Sequence, residues 1–217
     1  MKLFVWDFHG VLEKDNEKAV LEISNITLEN YGYRERFTEE EIDCLYGLKW
    51  WEYFKYLLLN ESHKKHLELQ EACFYFQNSL DIIRKYIKPN DNALYVLEEI
   101  VRAGHHQILI SNTNPEALEM FIDAVGMGKY FQKKKKKNSI AIDMHRKKGK
   151  TKNDALKEFI KDKSFDEIII IGDSLQDMEL KGIIGGKAYL YSHKERKFRE
   201  CKADYYIRDL REILKEL

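Results

Sequence analysis

Three short polar stretches hold the side chains best suited to chemistry: Asp7-Phe8-His9-Gly10, Ser111-Asn112-Thr113-Asn114 and Gly172-Asp173-Ser174-Leu175-Gln176-Asp177. Each follows an apolar run. The carboxylates of Asp7, Asp173 and Asp177 are hard oxygen donors, the type that magnesium favours, and a carboxylate is also a competent nucleophile. The Ser111 hydroxyl and the amide groups of Asn112 can donate hydrogen bonds to anionic oxygens. An imidazole such as His9 exchanges protons near neutrality. A lone aspartate at a strand end more often caps a turn or helix, so the weight rests on the ordered set.

The apolar runs predict the elements that carry these stretches. Residues 2–6 read as a buried strand ending at Asp7. Residues 107–110, 139–142 and the four isoleucines of 168–171 predict three more strands, with helices over 115–125 and 153–160 between them. Residues 187–191 and 205–207 predict two edge strands before a closing helix from Leu210. From 16 to 88 the pattern is helical, broken at Tyr31-Gly32-Tyr33, at Gly47 and at Asn60-Glu61-Ser62. After Pro89, Asn90 or Asp91 can cap a helix whose apolar stripe is Leu94, Leu97, Ile100 and Val101, and Gly104 can stop it. Alternating strands and helices predict an α/β fold, a doubly wound parallel sheet, with ligands beyond the carboxyl ends of its strands. The expected organisation is a core of residues 1–13 and 88–217 interrupted by a helical unit of 14–87.

In order and placement, the polar stretches resemble the motifs of the haloacid dehalogenase-like (HAD) hydrolase superfamily: hhhhDxDG[TV], hhh[ST]N, a lysine, and hhhGDSxxD. The match covers the core from end to end. The resemblance implies a HAD-like Rossmannoid core with an α-helical cap between the first and second motifs. It implies that Asp7 attacks the phosphorus of a small phosphorylated substrate, forming an aspartyl-phosphate. It further implies that Mg2+ is held by the carboxylates of Asp7, Asp173 and Asp177 and by the backbone carbonyl of His9. Ser111 and the Asn112 backbone N–H would donate to the phosphoryl oxygens, and a lysine would balance the charge. Lys150 and Lys152 both precede the helix of 153–160, with Lys147 and Lys148 close by. Lys152 is preferred because it stands three residues before Ala155-Leu156, as the family lysine commonly does.

His9 departs from the pattern, because hydrolytic members usually carry a second aspartate there to protonate the leaving oxygen and later activate water. A neighbouring cation disfavours an imidazolium, which makes histidine the poorer acid. Three readings stay open: a phosphatase using His9, an enzyme of dehalogenase or phosphonate-cleaving type, and a phospho-ligand-binding protein without efficient turnover. The intact acidic cluster favours the first, since metal-free dehalogenase relatives do not need it.

Composition narrows the partners. The 37 basic and 37 acidic residues cancel, which argues against a dedicated nucleic-acid binder. Cys44, Cys73 and Cys201 are scattered and lack CxxC pairing, so neither a disulfide framework nor a zinc site is expected. The apolar start is interrupted by Asp7 and His9 and has no cleavage site, so it does not read as a signal peptide. No run approaches the roughly 20 apolar residues of a membrane span, and the expected compartment is the cytoplasm. Lys133 to Lys137 read as a solvated loop. His63, His66, His105, His106, His145 and His193 lack metal-ligand spacing. Trp50, Trp51, Tyr53, Phe54 and Tyr56, followed by Phe74, Tyr75 and Phe76, form an aromatic set more suited to packing the cap than to lining a site. No feature specifies an oligomeric state.

Overall fold

All four side chains of Leu3–Trp6 are buried, and the strand is central, paired in parallel with His106–Ser111 on one side and Ile168–Gly172 on the other. A parallel strand covered on both faces is apolar throughout rather than alternating. The computed structural model describes residues 1–79, 81–133, 136–143, 150–193 and 196–217. Lys134, Lys135, His145, Lys147 and Lys148 lie outside the described residues. The chain divides into two compact units, Met1–Lys14 with Lys88–Leu217, and Asp15–Ile87.

The first unit is built on a six-stranded parallel sheet in the order Tyr205–Ile207, Lys187–Tyr191, Ile168–Gly172, Leu3–Trp6, His106–Ser111 and Ser139–Ala141. From the Leu3–Trp6 strand the chain winds outward on one side, then crosses back to the other. The reversal lies between Leu3–Trp6 and Ile168–Gly172, where a doubly wound sheet forms its ligand crevice. One expectation is corrected: Lys187–Tyr191 is an inner strand, paired on both sides and almost wholly buried. The edges are Tyr205–Ile207 and Ser139–Ala141.

The helices of this unit start where their caps dictate. Asn114 accepts the Ala117 N–H at 2.8 Å ahead of Pro115–Ala124, with Pro115 in the first turn, where a missing N–H costs nothing. Thr151 and Asp154 form a capping box at the start of Lys152–Ile160. Ala93–Arg102 differs from expectation: its cap position is Asn92 in a left-handed conformation, while Asn90 turns elsewhere. Its buried face is Ala93, Val96, Leu97 and Ile100, and Leu94 and Val101 are exposed. Gly104 ends it at φ 77°. The closing segment Leu210–Glu216 is a 3-10 helix rather than an α-helix. Residues 13–14 and 88–89 pair as a two-residue antiparallel ribbon, too short to show any alternation in sequence.

The second unit contains Asn16–Asn30, Glu39–Leu45, Trp50–Leu57, His63–Ser79 and Ile82–Tyr86. Much of the aromatic set packs its interior: Trp50 meets Phe74 edge-on at 5.3 Å, and Phe37 lies 6.1 Å from both Tyr53 and Phe54. Tyr56 and Tyr75 are exposed. Among the described residues, no helix is long and apolar enough to cross a membrane.

A buried polar chain ties the first unit's central strands to a helix. Trp6 Nε1 donates to Gln107 Oε1 at 3.1 Å, and Gln107 Nε2 donates to the Leu97 carbonyl at 2.9 Å. Trp6→Phe should leave the Gln107 oxygen buried without a donor and lower stability by about 1–3 kcal/mol. A urea denaturation midpoint indistinguishable from wild type would contradict this.

Candidate active site

The carboxyl ends of the central strands converge on one group of charges. Trp6 is level with Ile171 in the sheet, and the next residue, Asp7, donates its N–H to the Ile171 carbonyl at 2.9 Å. Carboxylate oxygens of Asp7, Asp173 and Asp177 all lie within 4.8 Å of one another. Lys152, the first residue of its helix, is buried against two of them: Nζ is 2.5 Å from Asp7 Oδ1 and 2.7 Å from Asp177 Oδ1. Lys150 instead pairs with Glu158 at the surface, 2.9 Å away.

Asp177 is held from both ends. Its second oxygen accepts the Ser174 N–H at 3.1 Å and the Ser174 hydroxyl at 2.5 Å, closing the turn after the Ile168–Gly172 strand. That closure requires a glycine at 172, since a Cβ there would stand 2.1 Å from the Asp177 Cβ. Gly10 is constrained twice over: its φ is +76°, and a Cβ would stand 2.9 Å from Asp173 Oδ2.

Ser111 ends the strand beside Leu3–Trp6, and its Oγ is buried with no hydrogen-bond partner among the described residues. An orphaned buried hydroxyl suits a site that receives an anionic oxygen. The Asn112 side chain donates to Gln176 Oε1 at 2.7 Å, linking the second polar stretch to the third.

Sequence reasoning did not anticipate three participants. Glu13, wholly buried, accepts the Gly10 N–H at 3.1 Å and lies 3.0 Å from His9 Nδ1, both through Oε1. The two residues are four apart in sequence, but nothing in the sequence marks 9–12 as the tight turn that brings them together. Arg199 Nη2 lies 3.6 Å from Asp173 Oδ2, with no motif around it. Asn90 donates to the Val11 carbonyl at 2.7 Å and to the Tyr191 hydroxyl at 2.9 Å, fixing the end of the first polar stretch.

Electrostatics follow from burial. Desolvation, reinforced by Asp7 and Asp177, pushes the Asp173 carboxyl from 3.8 up to about 7 despite the opposing Arg199. Burial also raises Asp7, although Lys152 pulls it back. Burial opposes charge on Lys152, but Asp177 and Asp7 overcome it and hold the ammonium well above the ordinary lysine value. Three carboxylates beside one ammonium leave an excess of negative charge among hard oxygens. A divalent cation of the magnesium type fits that donor set.

A sequence model of the haloacid dehalogenase-like hydrolase family matches residues 4–182, and the chain belongs to that family. No curated protein matches it. Among solved structures, the fold is similar to that of a Haemophilus somnus 129pt protein described as "a predicted phosphoglycolate phosphatase" (TM-score 0.80, 13% identity, 100% of this chain and 97% of that one). It is also similar to a HAD-superfamily hydrolase, subfamily IA, variant 1, from Geobacter sulfurreducens PCA (TM-score 0.73, 16% identity, 100% and 96%). A Clostridium acetobutylicum protein described as "a predicted phosphatase" gives a TM-score of 0.73 at 15% identity, covering 99% and 97%.

The raised Asp173 value has a sign in stability. The unfolded chain ionises near 3.8 while the folded site keeps its proton until about 7, so this group favours unfolding progressively across that window and no further above it. In chelator-treated protein, wild type should therefore lose stability relative to Asp173→Asn between about pH 4 and 7, with a constant gap at higher pH. Melting temperatures whose difference is independent of pH would overturn this.

Proposed function

We propose that the protein is a magnesium-dependent phosphatase acting on a small phosphomonoester through an aspartyl-phosphate on Asp7. The observation that carries this reading is the buried Lys152 shared between Asp7 and Asp177, with Asp173 alongside. A dehalogenation site has no need of three clustered carboxylates, whereas an anionic nucleophile attacking an anionic phosphoryl group needs their cation and the lysine.

Asp7 and Asp173 would hold Mg2+ with the His9 backbone carbonyl. Asp177, whose oxygens are engaged by Lys152 and Ser174, contributes to the same cluster. When bound, the cation reduces repulsion between nucleophile and phosphate and stabilises charge on the transferring oxygens. Lys152 adds a fixed positive charge at the attacking carboxylate. Ser111 Oγ and the Asn112 N–H donate to phosphoryl oxygens. An Asp7 oxygen forms a bond to phosphorus as the bond to the leaving oxygen breaks, and that oxygen takes a proton from His9. Water then attacks the phosphorus, giving its proton to His9 and releasing phosphate with Asp7 regenerated.

The helical unit Asp15–Ile87 would act as a cap that selects the substrate. The expected compartment is the cytoplasm, and neither nucleic acid nor membrane is an expected partner.

Hydrolysis of an aryl phosphate tests the reading. Turnover should require magnesium, stop with chelator, and fall on the order of 10³-fold or more in Asp7→Asn. Activity that survives both, or halide release that survives chelation, would overturn it.

A further inference from the structure

The buried Glu13 carboxylate has a geometry that the reaction above does not explain. Its Oε1 accepts the Gly10 N–H at 3.1 Å and contacts His9 Nδ1 at 3.0 Å, while Oε2 is buried with no partner among the described residues. An ionised carboxylate can only accept, so this contact favours the tautomer in which Nδ1 is the donor. The Glu13 N–H itself bonds to the Phe8 carbonyl at 3.2 Å, so the carboxylate is anchored in the same turn that carries His9. The ring is confined on its other sides by Phe8, at 5.2 Å and 79°, and by Phe121, at 4.9 Å and 82°.

We propose that Glu13 is a positioning residue for His9: its carboxylate holds Nδ1 as the hydrogen-bond donor and so reserves Nε2 for the leaving-group oxygen. The proposal rests on the phosphatase reading for its kinetic consequence but not for its structural one. A histidine has two nitrogens, and the wrong tautomer or a turned ring presents the wrong one. A carboxylate that fixes one nitrogen selects the other, as in dyads where an acid orients a catalytic imidazole. Glu13 touches neither substrate nor reacting atoms in this role.

Two readouts test it. The first is long-range proton–nitrogen NMR of 15N-histidine-labelled protein at a pH where the ring is neutral. Wild type and Glu13→Gln, whose amide oxygen still accepts, should show His9 protonated at Nδ1, whereas Glu13→Ala should lose that preference. The second is kcat for an alkyl phosphate, which needs leaving-group protonation, against an aryl phosphate, which does not. Glu13→Ala should lose on the order of 10²-fold on the alkyl ester but less than about threefold on the aryl ester, with Glu13→Gln recovering most of the loss. Equal losses on both esters, or an Nε2-protonated His9 in wild type, would overturn the proposal. If Glu13→Ala does not fold, wild type and Glu13→Gln decide it. If wild type lacks Asp7-dependent turnover, the phosphatase reading fails while the tautomer measurement still decides the placement of His9.

Discussion

The site is organised around a buried imbalance of charge: Asp7, Asp173 and Asp177 converge with Lys152 as the near neighbour of two of them. Burying carboxylates is costly unless they are paired and hydrogen-bonded. Asp177 meets that condition fully through Lys152 and Ser174. Asp7 meets it in part, and among the described residues Asp173 is paired with the more distant Arg199. Burial raises both of these carboxyls toward neutrality, Asp173 to about 7. The fold thus keeps a site whose lowest-energy occupant is positive.

That convergence constrains the backbone around it. The parallel register brings Trp6 level with Ile171, so the residues that follow the two strands emerge side by side. Gly172 leaves room for Asp177 to fold back, and Gly10 leaves room for Asp173. Asn90 ties the Val11 carbonyl to Tyr191, bridging the start of the sheet and one of its inner strands. These contacts are short-range, yet they join segments separated by as many as 165 residues in sequence. Small errors in strand register would break several at once.

Much of this was legible in sequence because the informative residues are local. Asp7, Ser111 and Asp173 each stand at the end of an apolar run, and their order along the chain carries the family resemblance. The preference for Lys152 over Lys150 rests on the family resemblance, through its place before Ala155-Leu156, and of the two Lys152 lies buried beside the carboxylates while Lys150 pairs with Glu158 at the surface. Long-range partners were not legible: Arg199 and Tyr191 act across the sheet and have no motif. The sequence places both Lys187–Tyr191 and Tyr205–Ile207 at edges because an apolar run marks a strand but not the neighbours it pairs with. The cap of Ala93–Arg102 was misjudged because Asn90, a good cap by type, is drawn away by Val11 and Tyr191.

His9 and Glu13 are best understood together. Replacing the second aspartate of the Asp-x-Asp pattern with histidine removes a negative charge from the loop beside Asp7. It also replaces a group whose two oxygens are equivalent with one whose two nitrogens are not. Glu13 answers both changes, restoring a carboxylate to the loop and distinguishing the nitrogens by bonding to one of them. With a neutral imidazole, Asp7, His9 and Glu13 carry the same formal charge as the usual aspartate pair. The departure at position 9 is therefore a redistribution of charge within one tight turn, with the carboxylate moved behind the ring that it orients.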